Sequence, residues 1–159
     1  TLLLGAALLL GGCASSSRFV SAPATPRDIS ESSARERSDI ALAAMSLLDV
    51  RYKWGGRGPA TGFDCSGLVR HVFAEGTGRK VSGNAAQLAA QARLVDSSDL
   101  QPGDLVFFNT LGAAFSHVGV YIGSGKFVHA SNERTGVRVD KLSNSYYAKR
   151  FEGARSLLD

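Results

Sequence analysis

Residues 117–131, "HVGVYIGSGKFVHAS", contain two short apolar segments joined by a turn of small residues. In both segments apolar residues alternate with small or polar ones, which is the period of a β-strand with one buried face. The stretch therefore predicts an antiparallel hairpin that carries two of the three histidines of the chain. If residues 123–125 form the connection, Gly119 lies opposite His129, and His117 and His129 share one face. A two-residue connection would instead turn the two histidines to opposite faces.

Three further segments in the second half of the chain have the composition of short strands separated by Gly, Ser and Asn. They read "DLVFFN" (104–109), "GVRVD" (136–140) and "KRFEGARSL" (149–157). The first half instead carries helical patterns. Helices followed by strands predict an α+β fold, in which N-terminal helices pack on a central antiparallel β-sheet.

Three helices are predicted in the first half. The S-x-x-E pattern of Ser33–Glu36 matches a capping box, so the first helix is predicted to begin near Ser33. A second helix is predicted over residues 64–77 and a third over residues 84–92. The buried stripe of the second helix is predicted to consist of Leu68, Val69, Val72 and Phe73.

The size and composition of the chain fit one globular domain. It has 159 residues, of which 44% are hydrophobic and 20% are charged. The formal net charge is +4, but lysine and arginine form no block of the kind that marks a nucleic-acid-binding tail. We therefore expect no nucleic-acid partner. The sequence also contains neither a Gly-rich phosphate loop nor a paired-cysteine metal motif.

The first residues, "TLLLGAALLLGGC", resemble the end of a bacterial lipoprotein signal sequence. The apolar run 2–10 has the length of a signal-peptide core and is too short to span a bilayer. Small residues precede Cys13, as they do in a lipobox. We expect residues 1–12 to be a signal peptide truncated at its start, and Cys13 to be the lipidated first residue of the mature protein.

This interpretation also predicts the domain boundaries and the location of the protein. Residues 13–32 would be the lipidated N-terminus and a flexible linker, and residues 33–159 the globular domain. Ala14 follows the lipidated cysteine, which favours the outer membrane by analogy with enterobacterial lipoproteins. We therefore expect an outer-membrane lipoprotein of the bacterial cell envelope that faces the periplasm and is held to the membrane by its lipid anchor.

Cys65 is the second of the two cysteines, and it has no intramolecular partner if Cys13 carries lipid. Asp64 is a good N-cap residue, so Cys65 is predicted at the first position of the second helix. Backbone N–H groups there favour a thiolate and can receive an oxyanion. His71 is too far along the same helix to act as its base. Cys65 is thus a candidate nucleophile, with a buried packing residue as the alternative.

Several blocks of the sequence resemble the NlpC/P60 family of cell-wall cysteine peptidases. The resemblance covers about residues 38–155 and implies a reduced papain-like fold. The blocks that carry it are "YKWGG" (52–56), "DCSGLV" (64–69), "QPGDLVFF" (101–108) and the hairpin 117–131.

The resemblance implies a catalytic set. Cys65 would be the nucleophile, His117 the general base, and His129 the residue that orients the base. Tyr52 matches a tyrosine whose hydroxyl lies beside the nucleophile and helps to bind the oxyanion. No metal and no organic cofactor is expected for this chemistry.

The residues around the nucleophile carry further expectations. Asp64 and Ser66 flank the cysteine and would line the substrate groove, although helix capping by Asp64 is an equally good interpretation. Two positions depart from the family pattern, because Arg51 stands where proline is frequent and Ser82-Gly83 replaces a frequent Pro-Arg pair. These departures concern substrate contacts and leave the catalytic set intact.

The resemblance implies that the substrates are stem peptides of peptidoglycan. We expect hydrolysis of the D-alanyl–meso-diaminopimelate cross-link through an acyl-enzyme, with the γ-D-glutamyl–diaminopimelate bond as the alternative. Two other classes stay open, a non-catalytic peptidoglycan-binding lipoprotein and an amidase or acyltransferase. The sequence identifies no regulatory protease or adaptor.

Overall fold

The computed structural model of the protein describes residues 26–158. The predicted signal peptide, the lipidation site at Cys13 and most of the predicted linker lie outside the described residues. Within the described part, no helix is both long enough and apolar enough to cross a membrane.

Residues 26–158 form four α-helices and eight β-strands. The helices are α1 (Pro26–Met45), α2 (Cys65–Thr77), α3 (Ala85–Gln91) and α4 (Ser145–Ala148). The strands are β1 (Arg57–Gly58), β2 (Gly62–Phe63), β3 (Arg93–Val95), β4 (Leu105–Phe108), β5 (His117–Gly123), β6 (Lys126–Asn132), β7 (Gly136–Lys141) and β8 (Phe151–Ser156). Six strands form one antiparallel sheet in the order β3-β8-β4-β5-β6-β7, and β1 pairs with β2 apart from it. The predicted α+β fold with a central antiparallel sheet is confirmed.

Apolar side chains cover both faces of this sheet. The helix side holds the larger cluster, to which α2 contributes its predicted stripe, and every member of that stripe is fully buried. Val106, Phe108, Phe127 and Tyr147 form the centre of a smaller cluster on the opposite face. Each fully buried aliphatic or aromatic side chain contributes about 1.5–3 kcal/mol, so α2 is held firmly against the sheet.

Helix α1 begins at Pro26 and not near Ser33. Proline suits the first turn of a helix, because its missing N–H group would have no partner there anyway. Ser33 and Glu36 therefore lie in the helix interior, and the S-x-x-E pattern does not mark the helix start. Residues 26–32, predicted as linker, are helical, whereas the prediction for residues 13–25 falls outside the described residues.

The β5–β6 hairpin places its histidines on one face by a different route from the predicted one. Its connection consists of two residues, Ser124 and Gly125, which both have the positive φ that a tight type I′ turn needs. A bulge at Ile122 inserts one extra residue into β5. Beyond the bulge the strands pair as a three-residue connection would pair them, so His117 and His129 face the same side.

Candidate active site

Cys65 is the first residue of α2, as predicted, and the residue is partly exposed. Asp64 caps the helix, because its Oδ1 accepts the N–H of Gly67 at 2.6 Å. The backbone N–H of Val118 donates a hydrogen bond to the thiol sulfur. The packing of α2 on the sheet therefore brings the sulfur to the start of β5, next to the residue that follows His117.

Cys65 is a neutral thiol in the resting protein. Burial raises its pKa to about 11, and the carboxylate of Asp64 acts in the same direction. Hydrogen bonds from the backbone N–H groups of Val118 and Ser66 lower the pKa but do not outweigh the burial. The helix N-terminus favours a thiolate, as expected, but burial has the larger effect, because a thiolate would lose more hydration than these N–H groups return.

His117 and His129 meet directly on the sheet. Nε2 of His117 lies 2.7 Å from Nδ1 of His129, and both side chains are buried. Nε2 of His129 lies 2.9 Å from Oδ2 of Asp140 on β7. Arg138, also on β7, donates from Nη2 to the other oxygen of Asp140 at 2.9 Å. The sequence pattern points to neither Asp140 nor Arg138 as a site residue, although "GVRVD" (136–140) has the composition of a short strand.

Asp140 sets the direction of the hydrogen bonds in this line. Burial alone would raise its pKa, but the hydrogen bond from His129 and the charge of Arg138 hold the pKa below its ordinary value. An ionised carboxylate only accepts, so His129 must donate from Nε2 and accept at Nδ1. His117 must then donate from Nε2, which leaves its Nδ1 without a proton. The line thus supplies one imidazole nitrogen that is ready to take a proton.

Burial lowers the pKa of both histidines. Burial, followed by the neighbouring His129, lowers the pKa of His117 to about 3. Burial also lowers the pKa of His129, although its hydrogen bond to Asp140 opposes the shift. A base with such a low pKa is unprotonated at neutral pH and at mildly acidic pH.

These depressed pKa values predict a loss of stability in acid. Below about pH 6.5 the unfolded chain binds protons at His117 and His129 that the folded protein does not bind, so the free energy of unfolding falls with pH. Between pH 7 and pH 5 we expect a decrease of about 1–2 kcal/mol from His117, with a further decrease in the same direction from His129, measured by urea unfolding. His117→Asn should reduce this pH dependence. The control His71→Asn should retain it, and equal pH profiles for the wild type and His117→Asn would contradict the assignment.

Tyr52 lies close to Cys65. It forms a bridge with Phe63, directly before Asp64 and Cys65. Burial raises the pKa of Tyr52, and the groups of Cys65, Asp64 and Glu133 raise it further. Its hydroxyl is therefore protonated and can donate a hydrogen bond to a developing oxyanion.

Asp64 and Ser66 hold the loop before the helix in addition to flanking the cysteine. The Ser66 hydroxyl donates to Oδ1 of Asp64 at 3.0 Å, and the N–H of Gly55 donates to Oδ2 at 2.9 Å. Helix capping by Asp64 is therefore observed. Both residues also line a surface cavity of about 320 Å³, so the structure brings them to a groove beside Cys65. A second cavity, of about 260 Å³, reaches His117.

The loop that contains Gly55 and Gly56 packs directly on the first turn of α2. A Cβ atom at Gly67 would overlap with the carbonyl oxygen of Gly56. We expect Gly67→Ala to lower the free energy of unfolding by about 3 kcal/mol, because backbone must move to relieve the overlap.

The matched control for this prediction is Gly58→Ala, measured in the same urea titration. A Cβ atom at Gly58 would approach no atom more closely than Oγ1 of Thr61, at 3.9 Å. The expected change is within about 1 kcal/mol and can be stabilising, because alanine restricts the unfolded chain. Equal losses for the two variants would show that the loop does not press on the helix.

No group of three or more His, Cys, Asp or Glu side chains in residues 26–158 is arranged to hold a metal ion. His117, His129 and Asp140 form a chain of hydrogen bonds, in which the polar atoms that face one another are already paired. It can therefore orient and move a proton.

Comparisons with known proteins agree with the sequence blocks. A model described as "NlpC/P60 family" matches residues 49–156. A crystal structure of an NlpC/P60 family protein from Bacillus cereus superposes with a TM-score of 0.71 and 28% identity, and the match covers 77% of this chain and 40% of that chain.

Two curated relatives carry the names of enzymes. "Murein DD-endopeptidase MepH" of Escherichia coli is 33% identical over 141 residues, which are 86% of this chain and 52% of that protein. "Gamma-DL-glutamyl hydrolase" of Bacillus subtilis is 37% identical over 117 residues, which are 73% of this chain and 28% of that protein. The chain thus spans about half of the first relative and less of the second.

Proposed function

The chain belongs to the NlpC/P60 family, and we propose that it is a cysteine peptidase that hydrolyses stem peptides of peptidoglycan. The observation that carries the proposal is the hydrogen-bonded line His117–His129–Asp140, together with the sulfur of Cys65, which accepts a hydrogen bond from the N–H of Val118, the residue after His117. The names of the relatives MepH and gamma-DL-glutamyl hydrolase support the same class of reaction.

The reaction begins with proton transfer from the Cys65 thiol to Nδ1 of His117. Because the resting pair is neutral, we propose that the proton leaves as the sulfur attacks the peptide carbonyl, and not before. The free N–H groups at the start of α2 and the hydroxyl of Tyr52 would stabilise the oxyanion. His117 would then return the proton to the leaving amine as the C–N bond breaks, which leaves a thioester on Cys65.

Hydrolysis of the thioester uses the same imidazole. Nδ1 of His117 takes a proton from a water molecule whose oxygen attacks the acyl carbon, and the thiol leaves with that proton. The peptide acid is released and Cys65 is restored. In each step the neighbouring His129 and the carboxylate of Asp140 orient the imidazolium of His117 and stabilise its positive charge.

We propose the D-alanyl–meso-diaminopimelate cross-link as the bond that is cut. The relative named as a DD-endopeptidase aligns with 86% of this chain, against 73% for the relative named as a gamma-DL-glutamyl hydrolase. The γ-D-glutamyl–diaminopimelate bond is the alternative within the same mechanism. For location we propose the bacterial cell envelope, with an outer-membrane anchor at Cys13.

Digestion of purified sacculi tests this proposal. The soluble products are separated and identified by mass spectrometry, with heat-denatured protein as the control. We expect cross-linked dimers to be converted to monomers with intact D-alanyl ends. Products that end in γ-D-glutamate would assign the alternative bond, and loss of the lactyl amide would assign an amidase. Binding to sacculi without any soluble product would contradict the peptidase and favour the non-catalytic lipoprotein.

A further inference from the structure

The cavity beside Ser66 offers hydrogen-bond donors, because its acceptors are already used by the fold. Oδ1 of Asp64 accepts from Gly67 and from the Ser66 hydroxyl, and Oδ2 accepts from Gly55. The Asp64 carboxylate is thus committed to the backbone of the loop and the helix. The Ser66 hydroxyl has its proton directed to Asp64 and not into the cavity.

Two side-chain amides on the opposite wall also have their acceptors occupied and their donors free. Oδ1 of Asn84 accepts the N–H of Gln87 at 3.0 Å, and Oε1 of Gln87 accepts the N–H of Asn84 at 3.0 Å. This reciprocal pair uses both amide oxygens and leaves both NH₂ groups as donors. Gly83 makes the arrangement possible, since a Cβ atom there would lie 2.7 Å from Cβ of Gln87.

Two arginines complete the wall of the cavity. Nε of Arg70 donates to the carbonyl oxygen of Ser66, the residue after Cys65, at 3.3 Å. This hydrogen bond fixes the guanidinium and leaves its terminal nitrogens available. Arg57 lies on β1, and among residues 26–158 its guanidinium has no hydrogen-bond partner. The arginines that do pair with carboxylates in this part of the chain are Arg37, Arg79 and Arg138.

From this geometry we infer that the cavity is a binding site for a carboxylate of the substrate, held by Arg57 and Arg70. The inference rests on the proposed function, because it assigns a stem peptide as the source of the carboxylate. A carboxylate only accepts hydrogen bonds and fits the planar fork of a guanidinium. Two arginines against one Asp64 leave the cavity with a net positive charge, which suits an anion.

Besides its C-terminal carboxylate, a stem peptide has two carboxylates that could fill the cavity. A γ-linked glutamyl residue keeps its α-carboxylate free, and diaminopimelate carries a carboxylate on its second amino-acid centre. Both present the same chemistry to Arg57 and Arg70. Neutralising one carboxylate at a time as its amide distinguishes the two sources.

The test measures binding in the Cys65→Ala protein, so that no peptide is consumed. A synthetic stem peptide with a γ-D-glutamyl–diaminopimelate linkage and an amidated C-terminus is titrated calorimetrically with its other two carboxylates free and as each of the two monoamides. One amide is expected to weaken binding about 10- to 100-fold, which corresponds to the loss of a charge-assisted hydrogen-bond pair. Adding Arg57→Gln and Arg70→Gln should abolish that difference between the peptide and its amide.

Two further variants keep the result decisive. Arg57→Gln alone removes a guanidinium that has no hydrogen-bond partner among residues 26–158, so it tests the site without disturbing α2. Arg93→Gln, with the same charge change on the edge strand β3, should leave the preference for the free carboxylate unchanged. The inference is overturned if both amides bind as tightly as the free peptide, or if the arginine variants retain the preference.

These outcomes are separate from those of the proposed function. If the wild type digests sacculi but binding ignores both amidations, the carboxylate site is wrong and the peptidase stands. If the wild type digests nothing while binding depends on a carboxylate and on Arg57, the peptidase is wrong and the binding site stands. If the stem peptide does not bind at all, the carboxylate site is wrong, and the digestion of sacculi alone decides the peptidase.

Discussion

Replacing Cys65 with alanine is expected to lower the turnover of stem peptides at least about a thousandfold while the protein stays folded. The thiol supplies the only atom that becomes bonded to the acyl group in the proposed mechanism. Its removal leaves the oxyanion donors and the binding groove in place but provides no covalent intermediate. The rate of release of soluble muropeptides measures the effect, and a thermal unfolding curve shows that the fold is retained.

Cys65→Ser is the matched variant for this experiment. A serine hydroxyl can keep the hydrogen bond from Val118, but its proton is far harder to remove than that of a thiol. We therefore expect Cys65→Ser to be nearly as inactive as Cys65→Ala. Turnover within about tenfold of the wild type in either variant would show that the sulfur is not the nucleophile.

Asp140→Asn is expected to lower kcat by about 10²- to 10⁴-fold and to leave KM nearly unchanged. An asparagine can donate its own amide N–H to Nε2 of His129, which reverses the direction of the hydrogen bonds. His129 would then donate from Nδ1 to Nε2 of His117, and the proton of His117 would move to its Nδ1. That nitrogen is the one that must receive the thiol proton.

Arg138→Gln separates this positioning role from a loss of charge. It removes the hydrogen bond to Oδ1 of Asp140 but retains the carboxylate that sets the direction. We expect less than about a tenfold loss of kcat. In ¹⁵N spectra of the ring nitrogens, Asp140→Asn should shift the protonated site of His117 from Nε2 to Nδ1, and Arg138→Gln should not. A fall in stability alone, with unchanged kcat and tautomer, would contradict the role assigned to Asp140.

Those parts of the fold that depend on local sequence were predictable. Asp64 and the four apolar residues after it define α2, because a cap and a stripe of period 3.6 act within one segment. The start of α1 was not predictable from the S-x-x-E pattern, since Ser33 and Glu36 match a capping box while lying inside a helix. Strands as short as β1 and β2 contain too few residues for a period to be recognised.

The candidate site depends more strongly on tertiary structure. The hairpin pattern brought His117 and His129 together, but it could not show that β7 would pair with β6 and bring Asp140 to His129. Two features act in opposite directions on the pKa of Cys65. The helix end, which the sequence shows, lowers the pKa, whereas burial, which only the structure shows, raises it. Burial arises only when α2 packs on β5, so no local pattern reports it.

Because of the bulge at Ile122, the face on which His129 lies depends on whether the number of residues in the connection is odd or even. The turn contributes two residues and the bulge contributes one extra, and their sum decides which face of β6 carries His129. Loss of the bulged residue alone would rotate the imidazole to the helix side of the sheet, whereas exchange of the bulge for a longer turn would keep it in place. Descendants of a common ancestor can therefore vary the shape of the connection freely, but they should gain or lose residues within it in even numbers.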